Sequence, residues 1–206
     1  MALVTVSAAF GSGGAEIGPQ LAERLGVPFL DRAIPVEVGE RLAIPLDEAE
    51  ARDQSIGGLL SRMALRLAPM GQAFGASAPQ DAVDEDAFRR ATEAIIHEHA
   101  AGGDAVVLGR AGALVLRDDP RALHVRLDGP RGRRVEQAMR ISGEDRAAVE
   151  RRLAETDHAR EAYVHHFYRA NARDPALYHL TIDSTAIPLD AVVELIVTAA
   201  RSRARG

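Results

Sequence analysis

Hydrophobic positions divide the chain into short strand-like runs that alternate with stretches of helical period. Leu3 to Ser7 is a β-branched apolar run that ends in a glycine cluster, Gly11, Gly13 and Gly14, after which Ile17, Leu21 and Leu25 recur on one helix face. Gly26 stands where a C-terminal glycine cap belongs, and residues 27–30 form a second apolar run ending at Asp31. Pro19 falls inside the first helical pattern, which is tolerable if the helix starts late and the ring sits near its first turn. Ile34, Val38 and Leu42, then Leu59, Leu60, Met63 and Leu67, predict helices within 32–44 and 56–67. Residues 70–83 are small, aperiodic and uncharged until Asp81, so they read as a loop of the length used for lids or left disordered.

The second half repeats the alternation. Residues 84–101 carry acidic groups in the first turn and place Phe88, Ala91 and Ile95 on one face, and Gly102 and Gly103 end that helix. Residues 105–108 are a continuous apolar run of the kind buried on both faces, and the run delivers Arg110 to its C-terminal end. Residues 123–127 and 180–183 are the fourth and fifth strands, with Arg-dense helices between them and an amphipathic helix over 188–201. Five strands alternating with helices predict an α/β fold: a five-stranded parallel sheet flanked by helices and joined by right-handed crossovers.

Composition narrows the function classes. The 206 residues suit one compact domain, and a net charge of −5 argues against nucleic acid as the main partner. Without cysteine there is no disulfide framework, thiol nucleophile or thiolate metal site. No apolar run approaches a membrane span and the N-terminus lacks a basic segment followed by an apolar core, so a cytoplasmic protein is expected. His97 with His99, and His165 with His166, lack the i, i+4 spacing that sets two imidazoles on one helix face, and Ser12 lies in no G-x-S-x-G elbow. All 25 basic residues are Arg. The density of Arg131, Arg133, Arg134 and Arg140, then Arg146, Arg151, Arg152 and Arg160, reads either as a solvated, ion-paired face or as a supply of phosphate-binding cations.

A glycine-rich turn between a strand and a helix points backbone N–H groups and a helix dipole at one place, which suits a phosphate. In the P-loop pattern G-x-x-x-x-G-K-[ST], with Gly13 as the second glycine, the first glycine falls on Ala8 and the lysine on Gly14. The lysine role cannot be filled in kind anywhere in this chain. Arg, which holds phosphate oxygens bidentately, is the available side-chain cation. In open α/β sheets ligands lie beyond the carboxyl ends of the strands, so the glycine loop, Asp31, Arg110 and Asp128 should converge.

These strand ends, with Pro28 to Arg32, Val106 to Gly112, Val125 to Asp128, Asp157 to Arg160 with Tyr163 and Tyr168, and Asp174 to Asp183, resemble the cytidylate kinase-like family of P-loop nucleoside monophosphate kinases over nearly the whole chain. The resemblance implies a core of 1–31, 84–130 and 174–206, a nucleoside monophosphate-binding helical insertion at 32–83 and a lid-like helical segment at 131–173. It implies ATP and Mg²⁺ on the loop Gly11, Ser12, Gly13, Gly14, Ala15 and Glu16. The acceptor nucleotide would be held by Asp31, Arg32, Arg41, Arg62 and Arg110, and Arg110, Arg131 and Arg160 would serve the transferring phosphate. No metal ligand is assigned; Asp31, Asp128 and Glu16 are the carboxylates able to reach one. Where members closer to true cytidylate kinase have the loop lysine and an acidic residue near the strand-end arginine, this chain has Gly14, and Leu108 and Ala111. Where relatives often carry Arg and Glu after the first Ser, it has Ala8 and Ala9. Two readings follow: a cytidylate-type kinase acting on a CMP-like acceptor, or a catalytically impaired nucleotide-binding module with a regulatory or scaffold role. Either would act as a monomer or homodimer with nucleotides as partners, away from nucleic acid and membrane.

Overall fold

The computed structural model describes residues 2–31 and 85–204. The helices expected within 32–44 and 56–67, the loop 70–83, and Arg32, Arg41 and Arg62 lie outside these residues. Five strands, β1 (Leu3–Ala8), β2 (Phe29–Leu30), β3 (Ala105–Leu108), β4 (Ala122–Asp128) and β5 (Leu180–Asp183), form one sheet in the order β2-β3-β1-β4-β5. Every pairing is parallel, with Val4 level with Val106 and Leu123, and Asp128 level with Asp183.

Alternation along the strands decides what each face packs against. Val4, Val6, Val106, Val125 and Leu127 meet α1 (Gly14–Leu25) and the closing helix α6 (Leu189–Arg203) through Ile17, Leu21, Val193 and Ile196. Leu3, Ala105, Val107 and Ala122 point the other way, onto Ile95 and Ile96 of α2 (Glu85–Ala101) and onto Leu116 just after the short α3 (Gly112–Val115). Val106 and Val107 are both fully buried, as the continuous apolar run predicts. Beyond the sheet, α4 (Arg131–Ser142) and α5 (Arg146–Tyr168) pair through Val135, Ala138, Val149 and Leu153, with Phe10 of the glycine loop packed into the same cluster.

Two details differ from the sequence expectations. Helix α1 begins at Gly14, directly after the loop, so Pro19 sits beyond its first turn. Pro19 and Ala15 are both exposed, so the ring lies on the solvent side of the helix. Helix α3 was not foreseen. It follows three consecutive left-handed residues, Gly109 (φ 74°), Arg110 (φ 50°) and Ala111 (φ 53°), which reverse the chain at the end of β3.

Candidate phosphate-binding site

The loop from Ala9 to Gly13 is held from every side by groups that leave one edge open. The Ala9 N–H donates to the Leu127 carbonyl at 3.0 Å, while the Ser12 N–H and hydroxyl both return to the Ala9 carbonyl at 3.1 and 2.7 Å. Ser184 donates to the Ser12 carbonyl at 2.7 Å, and Gln137 to the Gly11 carbonyl at 3.1 Å. Ser12 is therefore turned into the protein, away from the cleft lining. Gly11 is obligatory because a Cβ there would run into the Arg134 carbonyl, and its φ of 77° is left-handed besides. The N–H groups of Gly13, Gly14 and Ala15 meet no acceptor among the described residues and stand at the positive end of α1.

Asp157 and Arg134 clamp the loop from α5 and α4. One Asp157 oxygen accepts the Phe10 N–H at 2.8 Å and the other accepts Arg134 Nη1 at 2.7 Å. Arg134 also donates to the Phe10 carbonyl at 2.8 Å and to the Gly129 carbonyl at 3.0 Å. Arg134 is thus one arginine of its helix that is not solvated: its side chain is 8% exposed. Its neighbours follow the surface reading, Arg133 pairing with Asp183 at 2.6 Å and Arg146 with Glu150 at 3.4 Å.

The open edge of the loop faces a cleft of about 510 Å³, a size that suits a nucleotide-scale ligand. Gly11, Gly13, Gly14, Ala15 and Glu16 line it together with Asp31, Arg110 and Arg160, so most of the residues singled out by the strand-end rule do converge. Arg131 does not line the cleft; it sits exposed at the first turn of α4. Asp128 turns instead toward a small adjoining cavity beside Arg126 and Arg134.

Electrostatics set the state of these groups. Arg110 pairs with Asp31 at 3.2 Å and is largely covered. Arg160 Nη1 donates to the Ala8 carbonyl at 2.6 Å. Arg160 keeps an exposed face at the cleft, and desolvation by the protein packed around it, with a smaller contribution from Arg110, outweighs Asp157 and Asp31 and lowers its pKa from the ordinary guanidinium value. Burial pushes the Asp128 carboxyl up, but hydrogen bonds from the Gly129 N–H at 2.8 Å and from Arg126 at 2.6 Å outweigh it and hold the pKa below the usual carboxylate value. Tyr163 also faces the cleft, and burial raises its phenol; Tyr168, raised for the same first reason, donates to Glu93 at 2.7 Å.

The sequence assigns no site role to Arg126, and names Arg152 only within the run of helical arginines, yet both line the cleft. Alternation along β4 puts His124, Arg126 and Asp128 on one face, and that was a usable signal for Arg126, whose Nη1 also binds the Ala172 carbonyl at 2.9 Å. Nothing in the pattern of α5 separates Arg152 from its exposed neighbours.

The sequence matches the profile of the cytidylate kinase-like family over residues 3–186. The chain belongs to that family. Among solved structures, the family chain superposes on an uncharacterized protein from Eubacterium ventriosum with a TM-score of 0.66 at 18% identity, covering 98% of this chain and 99% of that one. A gluconokinase from Sinorhizobium meliloti matches with a TM-score of 0.50 at 18% identity over 98% and 92% of the two chains, and a shikimate kinase from Bacteroides thetaiotaomicron with 0.50 at 14% over 100% and 99%. At such identities the likeness is one of fold, shared with these P-loop kinases. A curated relative, a uronate isomerase from Corynebacterium glutamicum, is 33% identical over 122 residues, 59% of this chain and 23% of that protein, so the chain spans under a quarter of the relative's length. No helix among the described residues is long and apolar enough to cross a membrane.

Proposed function

We propose that this family member binds ATP over the glycine loop and transfers its terminal phosphoryl group to a CMP-like nucleoside monophosphate, yielding two nucleoside diphosphates. An acceptor phosphate oxygen would form the new bond to the transferred phosphorus as the bond to the departing ADP breaks. The observation that carries this reading is the convergence, on one cleft, of Gly13, Gly14 and Ala15, whose N–H groups meet no acceptor among the described residues, with Arg110 and Arg160. Phosphoryl transfer asks for positioning and charge neutralisation more than covalent chemistry, which is what such a set supplies. In this reading Arg110 and Asp31 meet the acceptor phosphate side, Arg160 the phosphate in flight, and the loop the donor.

Mg²⁺ fits the donor set on modest terms. No cluster of three His, Asp or Glu that could hold a metal occurs among the described residues. A magnesium ion bound with nucleotide, however, takes one or two carboxylates and completes its shell with phosphate oxygens and water. Glu16 and Asp31, both at the cleft, would be those carboxylates, and the ion would neutralise charge on the phosphates.

A second reading, a nucleotide-binding module without turnover, is favoured by two observations: Gly14 occupies the lysine position, and Arg110 and Arg126 are already paired with Asp31 and Asp128. Calorimetric titration with ATP, CMP and Mg²⁺ beside a coupled ADP-release assay decides between them. Binding with ADP release that depends on CMP supports the kinase; binding without release supports the module; no binding of either nucleotide overturns both.

A further inference from the structure

The loop's two departures from the P-loop pattern are one feature. Position 8 carries a Cβ where the pattern has its first glycine, and position 14 lacks one where the pattern has lysine. A Cβ built on Gly14 would lie 2.5 Å from the Ala8 Cβ, well inside contact distance, although the Gly14 backbone itself is ordinary helix. With Ala at position 8, any side chain at position 14, lysine included, is excluded unless the loop shifts. A loop of this shape must receive its cation from outside itself.

We propose that Arg152 of α5 is that cation and binds the donor phosphates. Its guanidinium lies 5.3 Å above the ring of Phe10, near the start of the loop, and it lines the cleft beside the loop glycines. Phe10 is itself fixed by the Asp157 and Arg134 clamp and by packing against α4 and α5, so the platform beneath Arg152 is rigid. The guanidinium is held by Nη1 contacts of 2.5 and 2.7 Å to the two oxygens of Glu144. Both side chains are substantially exposed, 53% and 37%, so this is a surface pair of small net worth, and a phosphate can displace the carboxylate. Arg152 and Arg160 are eight residues apart on α5, about 12 Å along its axis, and both line the cleft, so one helix presents two cations to it. Arg160 is engaged at the Ala8 carbonyl, whereas among the described residues Arg152 is held by Glu144 and the Phe10 ring.

This assignment rests on the ATP-binding reading above, and the test separates the two. ATP with Mg²⁺ and CMP are each titrated into the wild type, Arg152→Ala and Glu144→Gln, with thermal melting as the check on folding. Loss of a charge-assisted phosphate contact should weaken ATP binding by roughly 10- to 100-fold in Arg152→Ala while CMP binding stays within about twofold. Glu144→Gln, which leaves the guanidinium in place and removes its competitor, should tighten ATP binding a few-fold. ATP binding to Arg152→Ala as tight as to the wild type, or weaker binding in Glu144→Gln, overturns the role of Arg152 and leaves the ATP-binding reading standing. A wild type that binds no ATP overturns both together.

Discussion

The Phe10 N–H donates a 2.8 Å hydrogen bond to Asp157, a residue on a helix far along the chain. The same carboxylate neutralises Arg134, so one acidic side chain satisfies a loop amide and a buried cation together. Asp157→Ala would leave the Phe10 N–H without its acceptor and Arg134 with Asp128, at 3.7 Å, as its remaining carboxylate among the described residues. A loss of about 3–5 kcal/mol is expected, the range for removing one partner of a buried charge pair, read by urea denaturation. If Asp157→Ala unfolds at the wild-type urea midpoint, the clamp contributes nothing to the fold.

The crowding of positions 8 and 14 predicts a coupling. Gly14→Ala should destabilise by about 1–3 kcal/mol, the range for overpacking, and Ala8→Gly in the same chain should recover most of it. Additive effects in this double-mutant cycle would mean that the two positions do not compete for space.

Strain at the end of β3 predicts a stabilising change. Ala111 holds φ 53°, a region that costs an ordinary residue about 1–2 kcal/mol and glycine nothing. After glycine's greater unfolded-state freedom is subtracted, Ala111→Gly should raise stability by about 0.5–1 kcal/mol. The same substitution loosens the turn that aims Arg110, so weaker CMP binding should accompany the higher melting temperature.

Stability should also fall in mild acid. His124 is buried in the sheet, where its Nδ1 shares a 2.8 Å hydrogen bond with Thr5 and its ring stacks on His179 at 5.0 Å. Burial first, then the charges of His179 and Arg203, lower its pKa from 6.5 to about 4. Between those values the unfolded chain binds the proton and the folded one does not, so stability is fully present above pH 6.5 and is lost as pH falls toward 4. His179 is lowered too, by burial and Arg203, and acts in the same direction. About 1–2 kcal/mol should disappear between pH 7 and pH 5. His124→Gln should flatten that slope in urea titrations at the two pH values; an unchanged slope would assign it to other groups.

The strands were legible because their signal is local. Residues 105–108 and 180–183 are read directly from β-branched runs, and period 2 then orders the faces. The strand-end rule brought together Asp31, Arg110 and the glycines because a parallel sheet puts all its carboxyl ends on one edge. The clamp was not legible. Arg134 looks like Arg133 in sequence, yet one is buried on Phe10 and Asp157 while the other meets Asp183 at the surface. Arg134 lies on the buried face of α4 with Val135, Gln137 and Ala138, while Arg133 lies one position off it, and what that face meets is a loop remote in sequence. Arg152 was hidden for the same reason: its neighbour in space, Phe10, is remote in sequence.

The strand order has a consequence for how the molecule is made. Of the five strands β1 comes first along the chain, yet it lies in the middle of the sheet, and its two partners begin at Ala105 and Ala122. Until those segments are synthesised, Leu3, Val4 and Val6 have no sheet to join, and a strand edge of high apolar content waits exposed. Closing so long a stretch of chain makes this pairing a slow step, and nascent chains arrested before Asp128 should depend on chaperones in a way that full-length chains do not.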